Sequence, residues 1–487
     1  MEESSKYDDI MNAVKSLAKN TSLLLISQVI SYILAFFYMI YIARYLGTDG
    51  FGILSFALAF TGILSIFTDL GLNTLTVREV ARDKSLTNKY FSNIFFIKMI
   101  FCILTFGLMA LIINLLGYSL ETINVVYLVG LSVIFTAISG FFNSIFQAHE
   151  KMEYQSLGLV LQNFLMFIGV LIVINFGLSI IVFAFVYFIS SLISLFYILI
   201  VYFWKFPPRN VEIRRNYWKP TIKESLPFGL TAVFATVYVW IDSVMLSLMQ
   251  GNEAVGLYNA AYRIIIVLLF IQSVSSISIF PTMSKFYISS KNSLKMTVEK
   301  YFKFMFIISI PIGIIVMLLS DKIILFVFGV QYENSILLLQ ILVWATVFTF
   351  IYTAFVQMFL STNKQFVITK ITALCMMINI ILNLILIPQF SYIGASFVTV
   401  ITEFTILVLV FKSYSKIGYG ISRKQSKLMI KVIIASLIMG LFIFYFKELE
   451  TYLLLLFAII IYITLILLTK CIDKDDANLI HVLIKKS

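Results

Sequence analysis

The sequence predicts an all-α polytopic membrane protein with fourteen transmembrane helices, and three observations carry that prediction. Of the 487 residues, 61% are hydrophobic and 12% charged, against about 45–50% and about 25% in soluble chains. Such a surplus is housed where outward-facing side chains also meet a nonpolar phase, as they do in a bilayer. Apolar stretches of about 20 residues, enough to cross roughly 30 Å of hydrocarbon at about 1.5 Å per residue, recur along the whole chain. Finally, the 36 Lys and Arg residues are distributed very unevenly between alternate loops.

The spans follow in order. A charged tail (residues 1–19, with Glu2, Lys6, Asp8, Lys15 and Lys19) precedes 20–43, which is too long for a cleaved signal segment. Span 51–74 ends before four basic residues in 78–89; 91–116 and 123–147 come next, with Lys151 closing the loop after them. Spans 156–177 and 179–204 complete a first lobe (20–204), and six basic residues mark the linker 205–224. A second lobe (225–412) holds 225–248, 255–281, 303–328, 335–360, 367–388 and 391–412. After a basic loop, 413–429, come 430–446 and 452–470, then the tail 471–487.

One set of alternate loops contains 30 of the basic residues and the other only Arg44, Lys322 and Lys447, while Lys98, Arg263 and Lys370 lie within spans. By the positive-inside rule both termini are cytoplasmic, so the net charge of +12 reports topology and requires no nucleic-acid partner. In the N-tail, Ile10, Val14 and Leu17 recur at helical spacing, as do Leu294, Val298 and Tyr301 in 291–303. Both segments fit helices lying on the inner membrane surface, and the N-tail fits equally a lead-in to the first span. Cys102 and Cys375 read as small core hydrophobes, and Cys471 as a candidate for acylation.

Matched residues suggest an internal repeat. Gly47, Asp49, Gly52 and Ala57 align with Gly251, Glu253, Gly256 and Ala261; Gly117 and Glu121 align with Gly329 and Glu333, and Lys151 with Lys364. Spans 1–6 then repeat as spans 7–12 in the same orientation, two six-helix lobes in a parallel pseudo-two-fold arrangement, with the last two spans outside it.

Ionisable groups inside spans cost a few kcal/mol each, so they face protein or a wet cavity. Asp242 and Arg263 lie at roughly 9 and 12 Å from the outer ends of spans 7 and 8, as a cavity pair or a helix tie, with Tyr258 and Tyr262 beside them as aromatic surface. Asp69 and Lys98 are depth-matched near the inner side, where Lys98 either joins Asp69 or snorkels to the interface. Glu403, in mid-span, is a candidate for ion coupling or a neutral packing residue. Gln28, Asn163, Gln272, Gln357, Asn379 and Asn383 could line a cavity or bond between helices. Pro227, Pro281 and Pro311 are candidate flexing points of the second lobe.

There is no G-x-x-x-x-G-K-[ST] loop and no H-E-x-x-H, and the two histidines, His149 and His481, are far apart in sequence. The chain is therefore expected to be a transporter without cofactor or metal rather than an enzyme.

The segments Tyr41 to Gly52 (YIARYLGTDGFG), Asp69-Leu70-Gly71, Val77-Arg78-Glu79, Gln147 to Tyr154 (QAHEKMEY), Ile241-Asp242, Gly256 to Ile264 (GLYNAAYRI) and Phe328 to Leu339 (FGVQYENSILLL) together resemble one family. It is the polysaccharide transporter branch of the multidrug/oligosaccharidyl-lipid/polysaccharide exporter superfamily. The resemblance implies a monomeric flippase in the plasma membrane that moves polyprenyl-diphosphate-linked oligosaccharide outward by alternating access. Its implied partners are the lipid-linked glycan, membrane lipids, and the glycan polymerase and glycosyltransferases of the same pathway. A diphosphate asks for fixed cations, for which Arg263 is the first candidate, followed by Arg78 and Lys98. Gln272 and the tyrosines would serve the glycan, and Asp69, Asp242 or Glu403 an ion. The alternatives are a Na⁺- or H⁺-coupled multidrug exporter of the same superfamily and, in the enzyme class, a membrane-embedded glycosyltransferase.

Overall fold

A computed structural model describes residues 2–207, 213–418, 420 and 422–471, with side chains described from Ser22 onward. Beyond residue 471 the predicted cytoplasmic tail lies outside the described residues, as do the side chains of the predicted amphipathic N-tail. Among the described residues every regular element is a helix, and twelve helices are long and apolar enough to cross a membrane. Two of the twelve are much longer than a single crossing requires: Ser22–Thr68 has 47 residues and Gln365–Lys416 has 52. Each joins two helices across one non-helical residue, Gly47 in the first and Ser391 in the second.

By packing, the chain forms two compact units, residues 1–259 and 260–487. The first contains α1 (Glu2–Leu64), α2 (Leu72–Arg82), α3 (Thr87–Leu115), α4 (Leu120–Ala148), α5 (Met152–Asn175), α6 (Ile180–Lys205) and α7 (Trp218–Gln250). Here α1 packs on α4, α5 and α7, and α4 packs on α2, α3 and α6. An aromatic core of Phe91, Phe141, Phe142, Phe146 and Tyr202 locks the start of α3 to the C-terminal ends of α4 and α6. Stacked and edge-on ring pairs there add to the area term.

The chain continues through α8 (Asn252–Ser289), α9 (Lys291–Leu318), α10 (Ser320–Val327), α11 (Ser335–Ser361), α12 (Gln365–Lys416), α13 (Arg423–Tyr445) and α14 (Thr451–Leu468). In the second unit α11 packs on α9 and α12, and the pair α13–α14 is added through α9. Tyr462 donates to Ile307 O at 2.6 Å, and Gly440 brings α13 against Ile314.

The matched loops share their backbone. Gly47 (φ 70°, ψ −176°) and Gly251 (φ 85°, ψ −175°) occupy the same region, one essentially reserved for glycine. Gly117 and Gly329 both have positive φ, 71° and 93°. Past the C-terminal ends of α4 and α11, Glu150 and Asn363 take φ 57° and 59°, and Lys151 N and Lys364 N close the same six-residue turn onto Phe146 O and Phe359 O. Within the first unit, one contact is also reciprocal. A Cβ on Gly52 would lie 1.8 Å from Asn252 O, and one on Gly256 would lie 1.9 Å from Thr48 O. Since 48 and 52 align with 252 and 256, the two turns meet as a local two-fold does, each offering the same surface to the other.

Four sequence expectations are corrected. Span 51–74 is not one helix: α1 ends at Leu64, a 3-10 turn covers Ser65–Thr68, and α2 starts at Leu72. Span 303–328 also divides, because Leu319 interrupts the helix and leaves α10 as a separate short element. Segment 291–303 is the start of α9, with Leu294, Val298 and Tyr301 buried against protein, so it is no surface helix. Cys471, which is 1% exposed beside Thr469, is out of reach of an acyl donor.

Candidate functional site

The break in span 2 builds a site. With Leu70 at φ 43° and Gly71 at φ 87°, the chain cannot continue as helix, and the Asp69 carboxylate replaces the missing backbone acceptors. Asp69 Oδ2 accepts from Gly71 N at 3.2 Å and Oδ1 from Asn73 N at 3.1 Å, which caps α2. The same Oδ1 accepts from Lys98 Nζ at 2.7 Å, and Lys98 also donates to Asn73 Oδ1 at 2.9 Å. Lys98 is 1% exposed, so the ammonium is buried and paired and does not snorkel. Both depth-matched charges are thus committed to holding the break.

Helix α7 lies backbone to backbone against this break. A Cβ on Gly71 would come within 2.4 Å of Ser225 O, and one on Gly229 within 2.6 Å of Leu70 C, so only glycines permit the approach. Two adjoining cavities result, of about 400 and about 530 Å³, which share Asn73 and Gly140. The first is walled by Asp69, Thr136, Gly229 and Thr236, and the second by Thr74, Arg78, Asn143, Gln147, Gln155 and Phe228.

In the second cavity Arg78 Nε donates to Glu79 at 2.7 Å, its Nη2 donates to Glu224, and the guanidinium sits 5.2 Å over the Phe228 ring. Glu79 also binds Arg82 at 3.1 Å. Gln147 Nε2 donates to Gln155 Oε1 at 2.9 Å. Asn143 Oδ1 is buried and has no hydrogen-bond partner among the described residues. Sequence reasoning singled out Asp69, Arg78 and Lys98 but not Asn73, Asn143, Gln147 or Gln155. The available signal was the clustering of amides near the ends of spans 2 and 4 and just before span 5.

Elsewhere in the first unit, Asp242 is buried and accepts from Tyr258 Oη at 3.0 Å. Tyr258 is 2% exposed and presents no open ring face for stacking. Arg263 belongs to the second unit, so neither unit by itself contains the predicted Asp242–Arg263 pair. Arg263 Nε is buried with no hydrogen-bond partner among the described residues, and Tyr262 next to it is half-buried. Gln272 Nε2 donates to Ser276 Oγ at 2.9 Å and to Thr353 Oγ1, tying α8 to α11. Glu403, on α12, accepts from Thr349 Oγ1 at 3.0 Å and Tyr352 Oη at 2.8 Å. Asn379 and Asn383 bond to each other in the core, and Asn163 bonds to its own helix. No cluster able to hold a metal ion occurs among the described residues.

Comparison with known proteins adds to this geometry. The family model described as "Polysaccharide biosynthesis protein" matches residues 17–287, and the MatE model matches 227–385. The chain is 25% identical over 412 residues to the capsular polysaccharide biosynthesis protein CapF of Staphylococcus aureus, covering 82% of this chain and 100% of that one. It is 25% identical over 286 residues to the probable low-salt glycan biosynthesis flippase Agl15 of Haloferax volcanii, covering 56% of this chain and 58% of that one. Among solved structures, the lipid II flippase MurJ in an inward closed conformation superposes with a TM-score of 0.77 at 18% identity, covering 92% of this chain and 98% of that one. The fold is thus shared with MurJ, and the chain, a multi-pass membrane protein, belongs to the polysaccharide biosynthesis protein family of the multidrug/oligosaccharidyl-lipid/polysaccharide exporter superfamily.

Proposed function

We propose that the protein is a flippase that moves a polyprenyl-diphosphate-linked oligosaccharide from the inner to the outer leaflet of the plasma membrane by alternating access. The observation that carries this reading is the polar, amide-walled cavity opened by the break at Asp69 inside an otherwise apolar bundle. Polar lining at that depth is costly unless it serves a polar ligand. The flippase and capsule-biosynthesis names of the relatives point the same way.

In this reading the twelve long helices make fourteen crossings, since α1 and α12 each cross twice, and both termini are cytoplasmic. The reciprocal turn contact at Gly52 and Gly256 supports two parallel repeats that rock about a common axis. This reading assigns the two lobes to 20–204 and 225–412, with the basic segments 205–224 and 413–429 between spans and the appended pair within 430–470. The diphosphate is held by Arg263, whose Nε carries no partner among the described residues, while the prenyl tail stays in lipid. Tyr262 and Gln272 line the glycan path, and Glu403 is the candidate for ion coupling. The protein acts without cofactor, as a monomer beside the polymerase and glycosyltransferases that consume and supply its substrate.

The test is complementation of a strain that lacks its own repeat-unit flippase, with surface glycan as the readout. Arg263→Ala is expected to abolish surface glycan at unchanged protein level, and Arg263→Lys to retain part of it. Full export by the Ala variant removes Arg263 from the substrate path. Coupled drug export is the second reading, favoured by the MatE match over 227–385. Drug-resistance gain without glycan export in the same strain would establish it.

A further inference from the structure

We propose that the cavity walled by Asn73, Asn143, Gln147 and Gln155 is a subsite for an uncharged sugar unit, read through a hydrogen bond from a ring hydroxyl or acetamido N–H to Asn143 Oδ1. The proposal rests on the flippase reading and specifies which part of the substrate this cavity takes.

Charge decides against the diphosphate at this place. Of the residues lining the cavity only Arg78 is charged, and it is bonded to Glu79 and Glu224. Lys98, which reaches Asn73, is paired with Asp69, so neither cation brings an unmatched positive charge for an anion. Arg78 is engaged on two edges by carboxylates and on one face by Phe228. A phosphate or uronate entering here would displace a bonded carboxylate and lie next to it, at the cost of like-charge repulsion.

The uncharged groups, in contrast, are open. Asn143 Oδ1 is a buried acceptor without a donor among the described residues, an unfavourable state that a ligand O–H or N–H would relieve. The Gln147–Gln155 bond uses one donor and one acceptor, leaving Gln147 Oε1 and Gln155 Nε2 for other partners. Asn73 gives its Oδ1 to Lys98 and keeps its Nδ2, 3.2 Å from where a Cβ on Gly140 would lie. Acceptors and donors are thus both present around a space of about 530 Å³, within the range of about 300–1,000 Å³ typical of small-molecule sites. This mixture matches a pyranose, which offers hydroxyls that both give and take; an apolar cation would leave these amides unpaired.

The test uses purified full-length protein in nanodiscs and three probes: polyprenyl diphosphate without sugar, with one N-acetylhexosamine, and with one hexuronic acid. Wild type is expected to bind the N-acetylhexosamine lipid about tenfold more tightly than the sugarless lipid, and the uronate lipid more weakly than the N-acetylhexosamine one. In Asn143→Leu the gap between the first two probes should collapse; in Gln155→Leu, which spares the α4 core, it should shrink about threefold. A thermal melt of each variant reports folding, and the wild-type ranking of the three probes needs no variant. An undiminished gap in both variants, or a uronate lipid bound as tightly as the N-acetylhexosamine lipid, overturns the subsite. If that happens while wild type still carries lipid-linked glycan across proteoliposomes, the subsite alone falls; if wild type neither binds nor moves any probe, the flippase reading falls with it.

Discussion

Spans 2 and 8 contrast sharply. Span 2 contains no proline and is broken, whereas α8 contains Pro281 and runs unbroken from Asn252 to Ser289. Removing one N–H does not end a helix that neighbours still pack, but a carboxylate that captures the next two free N–H groups does. The cations beside the two spans differ as well. Lys98 is sealed against Asp69 and Asn73 at the break, whereas Arg263 on the continuous helix has a buried Nε left over. A basic residue in a membrane can therefore be structural or available, and only the local carboxylates distinguish the two.

The sharpest way to break this contrast is to remove each cation in turn. Lys98→Met leaves Asp69 without its counter-charge and should cost about 2–4 kcal/mol, below the full buried-pair penalty because Asp69 keeps some solvent. Adding Asp69→Asn, which still caps α2, should recover most of that loss. Arg263→Met should shift unfolding by less than about 1 kcal/mol while abolishing glycan export. Both are measured by SDS titration in mixed micelles, and equal costs for the two cations would erase the distinction.

A smaller effect is expected at the seam. Gly229→Val drives a side chain into Leu70 and should cost about 2–3 kcal/mol, with loss of the cavity; a wild-type melt for this variant would show that α7 is not seated on the break. Glu403→Gln keeps an acceptor for Thr349 and Tyr352 and should change stability by less than about 1 kcal/mol, yet flatten the pH dependence of transport. An unaltered pH profile would assign Glu403 to packing alone.

The smallest effect concerns His149, in the turn between α4 and α5, whose ring is within 2.9 Å of Thr87 Oγ1. Burial first, and then the Lys84 charge, lower its pKa below the ordinary imidazole value of 6.5. The folded chain thus resists the proton that the unfolded chain accepts, so the contribution is full above about pH 6.5 and is lost as pH falls. A melt at pH 5 should lie a degree or two below one at pH 7.5, and His149→Gln should narrow that difference.

Much of the fold was legible because lipid imposes a simple code in which apolar length gives crossings. Depth alone put Asp69 and Lys98 at one level but left open whether Lys98 pairs or snorkels, which the 2.7 Å bond decides. The break at Asp69 was not, because Leu70, Gly71 and Leu72 keep the segment apolar and hydropathy is blind to φ. Asn143 and Gln155 escaped notice for a different reason. An amide near the end of a span reads the same whether it is satisfied or not, and only coordinates show that Asn143 Oδ1 is unanswered. Leu294 and Val298 misled because an amphipathic stripe does not say whether its apolar side meets lipid or protein.

The reciprocal contact of Gly52 and Gly256 bears on which changes the chain tolerates. Each glycine is fixed by the opposite turn's carbonyl, so any side chain arising at either position strikes the facing backbone, and neither site can change alone. Thr48 to Gly52 and Asn252 to Gly256 are a place where two backbones touch, held by the exclusion of side chains.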